Sequence, residues 1–324
     1  MTTNDTVTGL HHITVIAGDP QENLDFYVGV MGMRFVKKSV NQDVPGTYHL
    51  FYADGEAHAG TDLTFFPWPD MGPGVSGAGQ TIEVALAIPK GSLPYWTERL
   101  ARAGVAISGP VTRFGEALIT FQDPHGLSLA LVETADVREF TPWAESPVPA
   151  DRQVLGLHGA RLLVRAAEPS VQFLTDGLGF QEVGTEDGWR RFAVGAGGSG
   201  RVLDLAERPD ERRGAWGRGS VHHIAWRVPD DDSHVAVQRR VANTRQSPTE
   251  VIDRFWFKSI YFKEPGGALF EVATDGPGFT VDEPLESLGE SLVLPPWLES
   301  RRGAIEAGLQ PLREPKLLEG GVSQ

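Results

Sequence analysis

Apolar and polar residues alternate along Gly9-Leu10-His11-His12-Ile13-Thr14-Val15, the period-two pattern of a β-strand with one covered face. Gly156-Leu157-His158-Gly159-Ala160-Arg161-Leu162 resembles it and opens the second half of the chain. Further landmarks follow both openings at one constant spacing: Phe26-Tyr27 matches Phe173-Leu174, and Gly32-Met33 matches Gly179-Phe180. Each stretch reads as a strand, a short amphipathic helix ending near a glycine, and a second strand. A second repeated pattern closes each half. Phe121-Gln122-Asp123-Pro124-His125-Gly126 leads into Leu127-Ser128-Leu129-Ala130-Leu131-Val132, and Phe262-Lys263-Glu264-Pro265-Gly266-Gly267 leads into Ala268-Leu269-Phe270-Glu271-Val272-Ala273. Both are turns feeding an apolar final strand.

Two more strand starts, at Thr81–Leu86 and Ser220–Trp226, are each followed by a helical stretch, near Pro94–Ala103 and Ser233–Asn243. The chain therefore predicts four units of strand, helix and then mostly strands, over roughly 8–70, 79–135, 154–207 and 219–275. An N-terminal half (1–135) and a C-terminal half (154–275) flank a proline-bearing linker at 136–153. An extension, 276–324, carries Leu294-Pro295-Pro296-Trp297-Leu298 and a predicted helix at Glu299–Gly308, and its last dozen residues read as disordered.

The phase of the histidines turns this layout into a candidate site. Successive strand side chains point to opposite faces. Aligning the unit openings puts His12, Gly159 and His223 in one column, and His11, His158 and His222 in the neighbouring column, facing the other way. In the closing strands Glu271 aligns with Ala130. One of two pseudo-equivalent places thus offers His12, His223 and Glu271; the other offers Gly159 and Ala130 and has no such ligands. Two histidines and a carboxylate on one face form the facial triad that suits non-haem Fe(II) with open positions. A lone carboxylate inside the apolar stretch Leu269-Phe270-Glu271-Val272-Ala273 is costly to bury unless it ligates a cation. Each residue alone is more often structural; the shared phase favours the metal reading. His158 is the rival ligand and needs a bulge to reach the same face. His49, His58, His125 and His234 read as surface or pocket-wall residues. The aromatic residues of Phe65-Phe66-Pro67-Trp68 and Phe255-Trp256 read as core.

Composition narrows the chemistry. The chain has 324 residues, 40% hydrophobic and 22% charged, within the globular range, and no apolar run approaches a membrane span. Cysteine is absent, which removes disulfides, thiolate nucleophiles and iron–sulfur ligands. The formal charge of −14 disfavours nucleic acid as a partner. Gly195-Ala196-Gly197-Gly198-Ser199-Gly200 lacks the Lys-Ser/Thr of a phosphate loop and reads as a hairpin connection. The start, Met1-Thr2-Thr3-Asn4-Asp5, shows no secretory pattern, so a cytoplasmic protein is the expectation. Edge strands and the apolar tail leave a homodimer open.

The opening Gly9–Thr14, the mid-chain Val221-His222-His223-Ile224 and the closing Glu264–Glu271 resemble the vicinal oxygen chelate superfamily, which includes glyoxalase I, fosfomycin-resistance proteins and extradiol dioxygenases. Tyr48–Tyr52, Thr61–Trp68 and Leu294–Leu298 look like those of its hydroquinone ring-cleaving dioxygenases, such as 2,6-dichlorohydroquinone 1,2-dioxygenase. The resemblance spans nearly the whole chain. It implies an α+β fold of four βαβββ modules, with curved mixed sheets around a metal-holding cleft and the first and fourth units paired at the site. It also implies Fe(II) on His12, His223 and Glu271, with Arg254, Tyr261, Thr14 and His222 about the substrate. Arg254 and Tyr261 are an odd number of residues apart, so both can face the site only if a turn or bulge intervenes. The function implied is ring opening of a hydroquinone-type aromatic with O₂. Extradiol cleavage of a catechol on the same iron is one alternative. Another is a glyoxalase-like isomerase or lyase; Mn(II), Zn(II) or Ni(II) are the alternative metals.

Overall fold

The structure, a computed structural model, describes residues 5–318. Residues 1–4, part of the start read as lacking a leader, and 319–324, the end of the tail read as disordered, lie outside the described residues.

Among the described residues, sixteen strands form two eight-stranded sheets. The first unit supplies β1 (Gly9–Ala17), β2 (Arg34–Val40), β3 (Tyr48–Ala53) and β4 (Asp62–Pro67). The second supplies β5 (Gln80–Pro89), β6 (Ile107–Arg113), β7 (Glu116–Gln122) and β8 (Ser128–Thr134). The third supplies β9 (Gly156–Val164), β10 (Gln181–Glu186), β11 (Trp189–Ala193) and β12 (Val202–Glu207). The fourth supplies β13 (Val221–Val228), β14 (Ile252–Asp253), β15 (Lys258–Lys263) and β16 (Leu269–Thr274). One sheet runs β14-β15-β16-β13-β1-β4-β3-β2 and the other β10-β11-β12-β9-β5-β8-β7-β6. Each sheet therefore joins one unit from each half: first with fourth, second with third. The two are curved and mixed, the α+β architecture of tandem βαβββ modules expected above. The glycine-rich stretch lies in the β11–β12 hairpin connection.

Each unit's first strand is followed by a helix: α1 (Pro20–Leu24), α2 (Leu93–Arg102), α3 (Ala167–Phe173) and α4 (Asp231–Ala242). Asp19 caps α1, its carboxylate accepting from the backbone N–H of Gln21 and Glu22, with Pro20 supplying a first-turn residue that needs no partner. The glycines of the repeated Gly-Met and Gly-Phe pairs turn the chain out of these helices with positive φ, 68° at Gly32 and 83° at Gly179. The two closing turns are built alike. Asp123 accepts from the N–H of His125 and Leu127 at 2.9 and 2.8 Å. Glu264 accepts from Gly266 and Ala268 at 2.9 and 3.0 Å. Tyr27 of the first unit donates to Asp123, and Ser170 of the third donates to Glu264. Consecutive units are thus bonded helix to turn, while the sheets are bonded across halves.

The linker 136–153 has no helix or strand but is pinned. The Arg138 guanidinium donates to the carbonyls of Leu157 and Gly60, and Thr141 N–H to Asp54. The extension folds back over the first sheet's β2 edge. It contains short 3₁₀ turns, one of them Pro296–Arg301, and α5 (Arg302–Gly308), so regular α-helix starts later than Glu299. Residues 313–318, read as disordered, lie along the first helix: Arg313 N–H donates to Gln21 Oε1 at 2.8 Å and Lys316 N–H to Asp25 Oδ1 at 3.0 Å. Backbone pairing supplied by the first unit orders this polar segment; composition alone could not show it.

The extension also props the site. Lys37 of β2 is wholly buried and its ammonium reaches Asp282 at 2.8 Å, Glu283, and the Phe279 carbonyl at 3.0 Å. Asp282 in turn accepts from Trp256 Nε1 at 3.0 Å. Removing one partner from a buried ion pair leaves charges uncompensated. Lys37→Met is therefore expected to cost about 3–5 kcal/mol in denaturant unfolding and to speed proteolysis beyond residue 276. Unchanged stability would remove this network as the extension's anchor.

Candidate metal centre

His12 on β1, His223 on β13 and Glu271 on β16 come from three adjacent strands at the seam between the first and fourth units. Cross-strand pairing places Thr14 opposite His223, His12 opposite Ala225, and Ala225 beside Glu271. One ligand-type atom from each of the three lies within 4.8 Å of the others, and all three residues are buried. His12 Nε2 and His223 Nε2 are 3.2 Å apart, and Glu271 Oε2 lies 3.5 and 3.0 Å from them. Despite the 3.0 Å distance, Oε2 has no hydrogen-bond partner among the described residues. Ser259 Oγ, on the neighbouring β15, donates to Oε1 at 2.5 Å and holds the carboxylate.

The adjacent histidines explain this. His11 Nδ1 and His12 Nδ1 are 2.8 Å apart, and so are His222 Nδ1 and His223 Nδ1. Neighbours in a regular strand point to opposite faces and could not meet. In the β1–β13 ladder the register slips between Leu10 and His12 and again between Thr14 and Val15, opposite His223 and Val221. His11 and His222 therefore stand at β-bulges, which re-aim side chains. The strict alternation that assigned His222 to the far face fails here: His222 lines the same cavity as His223. Burial first, then the charge of the adjoining histidine, holds the protonation of His11 and His222 down to about 3, so both are neutral. One proton lies between the two Nδ1 atoms of the pair; where His12 Nδ1–H donates to His11, His12 Nε2 presents a lone pair toward Glu271.

Burial alone would protonate Glu271, but His12 and His223 reverse that and hold the carboxyl well below its usual range. Burial lowers His223. Two imidazoles and a carboxylate bring three donor atoms together at one buried point. A divalent cation satisfies this arrangement, and the donor set suits imidazole- and oxygen-binding metals.

The triad opens on a cavity of about 380 Å³. Phe66, Trp68 and Trp256 are among its walls, so three of the five aromatic residues read as core are wall residues; Phe65 is core. Hydrophobicity does not distinguish a dry wall from a packed interior. Arg254 and Tyr261 both line the cavity. The turn that their odd spacing requires lies between β14 and β15, where Arg254 N–H bonds the Phe257 carbonyl at 2.9 Å and Phe255 takes φ 75°. Arg254 Nε donates to the Tyr261 hydroxyl at 3.2 Å, while its two terminal nitrogens reach the Asp43 carboxylate at 3.2 and 3.0 Å. Burial opposes the charge on Arg254, but Tyr261 and Asp43 outweigh it and raise its pKa. Burial, then the Glu271 charge, pushes the Tyr261 phenol up, so it keeps its proton. Thr14 is buried, bonded to Thr64 at 2.7 Å, and not among the lining residues.

The equivalent seam of the second sheet shows the alternative outcome. Ala85 pairs with Gly159 and with Ala130 there, as Ala225 lies by Glu271 in the first sheet. A Cβ on Gly159 would meet the Val202 carbonyl oxygen at 2.9 Å, so this position has no room for a ligand side chain. Glu83 is bonded to Arg113, Glu116 to Arg191, and Asp204 to Arg191. The remaining space is about 20 Å³, room for about one water. His158 lies in this second cleft beside Ser199 and Glu116, away from the triad. His125 and His234 are buried outside the first cavity, His234 against the Val272 carbonyl, and so are neither surface nor wall residues; His49 is a wall residue.

Sequence reasoning missed Asp43, Gln42 and Ser259. Ser259 shares a strand face with Tyr261, whose cross-strand partner is Glu271, so the period of two could have found it. Asp43 and Gln42 sit in the β2–β3 loop, where no period exists to read.

Comparison with known proteins accords with this geometry. The model of the Glyoxalase/Bleomycin resistance protein/Dioxygenase superfamily matches residues 9–131 and 156–272. MhqO of Bacillus subtilis (strain 168), whose ring-cleaving dioxygenase name is provisional, is 44% identical over 94% of this chain and 96% of its own. The chlorohydroquinone/hydroquinone 1,2-dioxygenase of Sphingobium indicum is 35% identical over 90% of this chain and 93% of its own. A crystal structure of a provisionally named dioxygenase from Bacillus subtilis superposes with TM-score 0.91 at 43% identity, covering 96% of this chain and 99% of that one. Maize glyoxalase I shares the fold at TM-score 0.62 and 17% identity, over 82% of this chain and 92% of its own. The chain belongs to the glyoxalase/bleomycin resistance protein/dioxygenase superfamily.

Proposed function

We propose that the protein is an Fe(II)-dependent dioxygenase that opens the ring of a hydroquinone-type aromatic with O₂. The observation that carries this reading is the convergence of His12, His223 and Glu271 on an aromatic-walled cavity that also holds a cation and a protonated phenol. The relatives named for ring cleavage, one of them for hydroquinones, support it. His12, His223 and Glu271 would hold Fe(II), which would supply Lewis acidity toward a phenolate oxygen and redox chemistry toward O₂. Overall, one ring carbon–carbon bond and the O–O bond break, and both oxygen atoms enter the product, so no further reductant is needed.

The chain's own residues have definite work in this scheme. Phe66, Trp68 and Trp256 hold the ring by its faces and exclude water. Arg254 stabilises negative charge that develops on the substrate oxygens. The Tyr261 hydroxyl accepts from Arg254, so its own proton is left to donate into the cavity. His222, neutral and bonded to His223, fixes that ligand's ring by accepting at Nδ1, and its Nε2–H is left to donate. Thr14 acts from behind the wall through Thr64.

Three measurements test this reading. Glu271→Ala, loaded anaerobically with Fe(II) and desalted, is expected to keep under a tenth of the wild-type metal; full retention overturns the ligand assignment. Tyr261→Phe and Arg254→Ala are expected to keep the metal and lose about 10²-fold in turnover; undiminished turnover removes them from the chemistry. Oxygen uptake by the Fe(II) protein is expected with hydroquinones and a ring-opened product. Uptake only with catechols moves the assignment to extradiol cleavage, and none with any aromatic moves it to glyoxalase-like chemistry.

A further inference from the structure

One polar side chain of the cavity has no part in the scheme above. His49 lies on β3, its ring centroid 3.8 Å from that of Phe51 and 4.4 Å from that of Phe66. Nε2 is 2.9 Å from Thr64 Oγ1, and Thr64 Oγ1 is 2.7 Å from Thr14 Oγ1. Among the described residues no hydrogen bond engages the other nitrogen, Nδ1, of a ring that lines the cavity. Each of the other polar wall groups makes a bond of its own, and Arg254, Tyr261 and His222 already have parts in the scheme above. Asn41 caps its own turn, Gln42 donates to the Arg254 carbonyl, Asp43 and Tyr261 hold Arg254, and His222 holds His223.

The Thr14–Thr64–His49 chain has one sense at a time, because Thr64 has a single hydroxyl proton. If that proton goes to Thr14, His49 Nε2–H donates to Thr64 and Nδ1 is an acceptor. If it goes to His49, Nδ1 carries the proton and is a donor. Burial, then the charges of His12 and His223, keeps the ring neutral in either sense. A hydroxyl can donate or accept, so it fits both.

A hydroquinone carries its two oxygens at opposite ends of the ring, a catechol side by side. With one oxygen at the triad and the ring between aromatic walls, a para oxygen needs a polar partner across the cavity. We propose that His49 is that partner: its Nδ1 bonds the para hydroxyl and makes the site select para-dihydroxylated rings. This rests on the ring-cleavage reading above and deepens it.

The test is binding without turnover. The Fe(II)-loaded protein, held free of O₂, is titrated calorimetrically with hydroquinone and with phenol, which lacks the para oxygen. The wild type is expected to prefer hydroquinone about tenfold, the worth of one hydrogen bond to a neutral group. His49→Leu is expected to bring the ratio to about one with metal content unchanged. His49→Asn, whose amide can stand where Nδ1 stands, is expected to keep most of the preference. A wild type that binds both rings equally overturns the role of His49 and leaves the metal-and-phenolate reading intact, and so does a His49→Leu protein with its preference intact. A wild type that binds neither ring overturns the ring-cleavage reading itself, and this proposal with it. If His49→Leu does not fold, the wild-type ratio and the His49→Asn ratio still decide.

Discussion

The structure turns on three electron-pair donors buried against one another. His12, His223 and Glu271 meet, and among the described residues Glu271 Oε2 is left without a hydrogen bond. Such a cluster is unfavourable unless a cation fills it, and the surrounding fold holds it in place regardless. Ser259 fixes the carboxylate, His11 and His222 fix the two imidazoles, and the pairing of β1 with β13 brings residues 211 apart in sequence into contact. None of this could form within one half of the chain, because the seam belongs to the first and fourth units together.

Duplication explains both the site and its blank counterpart. Each sheet has the same seam, the same antiparallel pairing across it and register slips at matching places: at His11 and His222 in one, at Ile82 and His158 in the other. In the first sheet the slips aim histidines at a cavity. In the second, Gly159 leaves no room and arginine–carboxylate pairs occupy the space. A charge network paired within itself needs no cation, so one scaffold yields three converging donor atoms at one seam and a packed ionic core at the other.

Much of this was legible in the chain. Repeats at constant spacing marked the four units, and the strand period placed His12 and His223 in one column of the opening strands and Glu271 at the matching place of the closing ones. That period failed at His222 because a bulge interrupts it, and a bulge leaves no trace in hydrophobic patterning. Phe66, Trp68 and Trp256 read as core because a cavity wall and a core have the same composition. The ordering of residues 313–318 along the first helix was hidden because it comes from pairing with that helix, not from their own polarity. Asp43, opposite Arg254, lies in a loop where only the folded chain shows what it meets.

The most direct test of the central claim is anomalous diffraction from crystals of the protein loaded with Fe(II). A single peak per chain is expected, within bonding distance of His12 Nε2, His223 Nε2 and Glu271 Oε2, and none at the second seam. A peak beside His158 and Glu116, or none at the triad in loaded crystals, would contradict it.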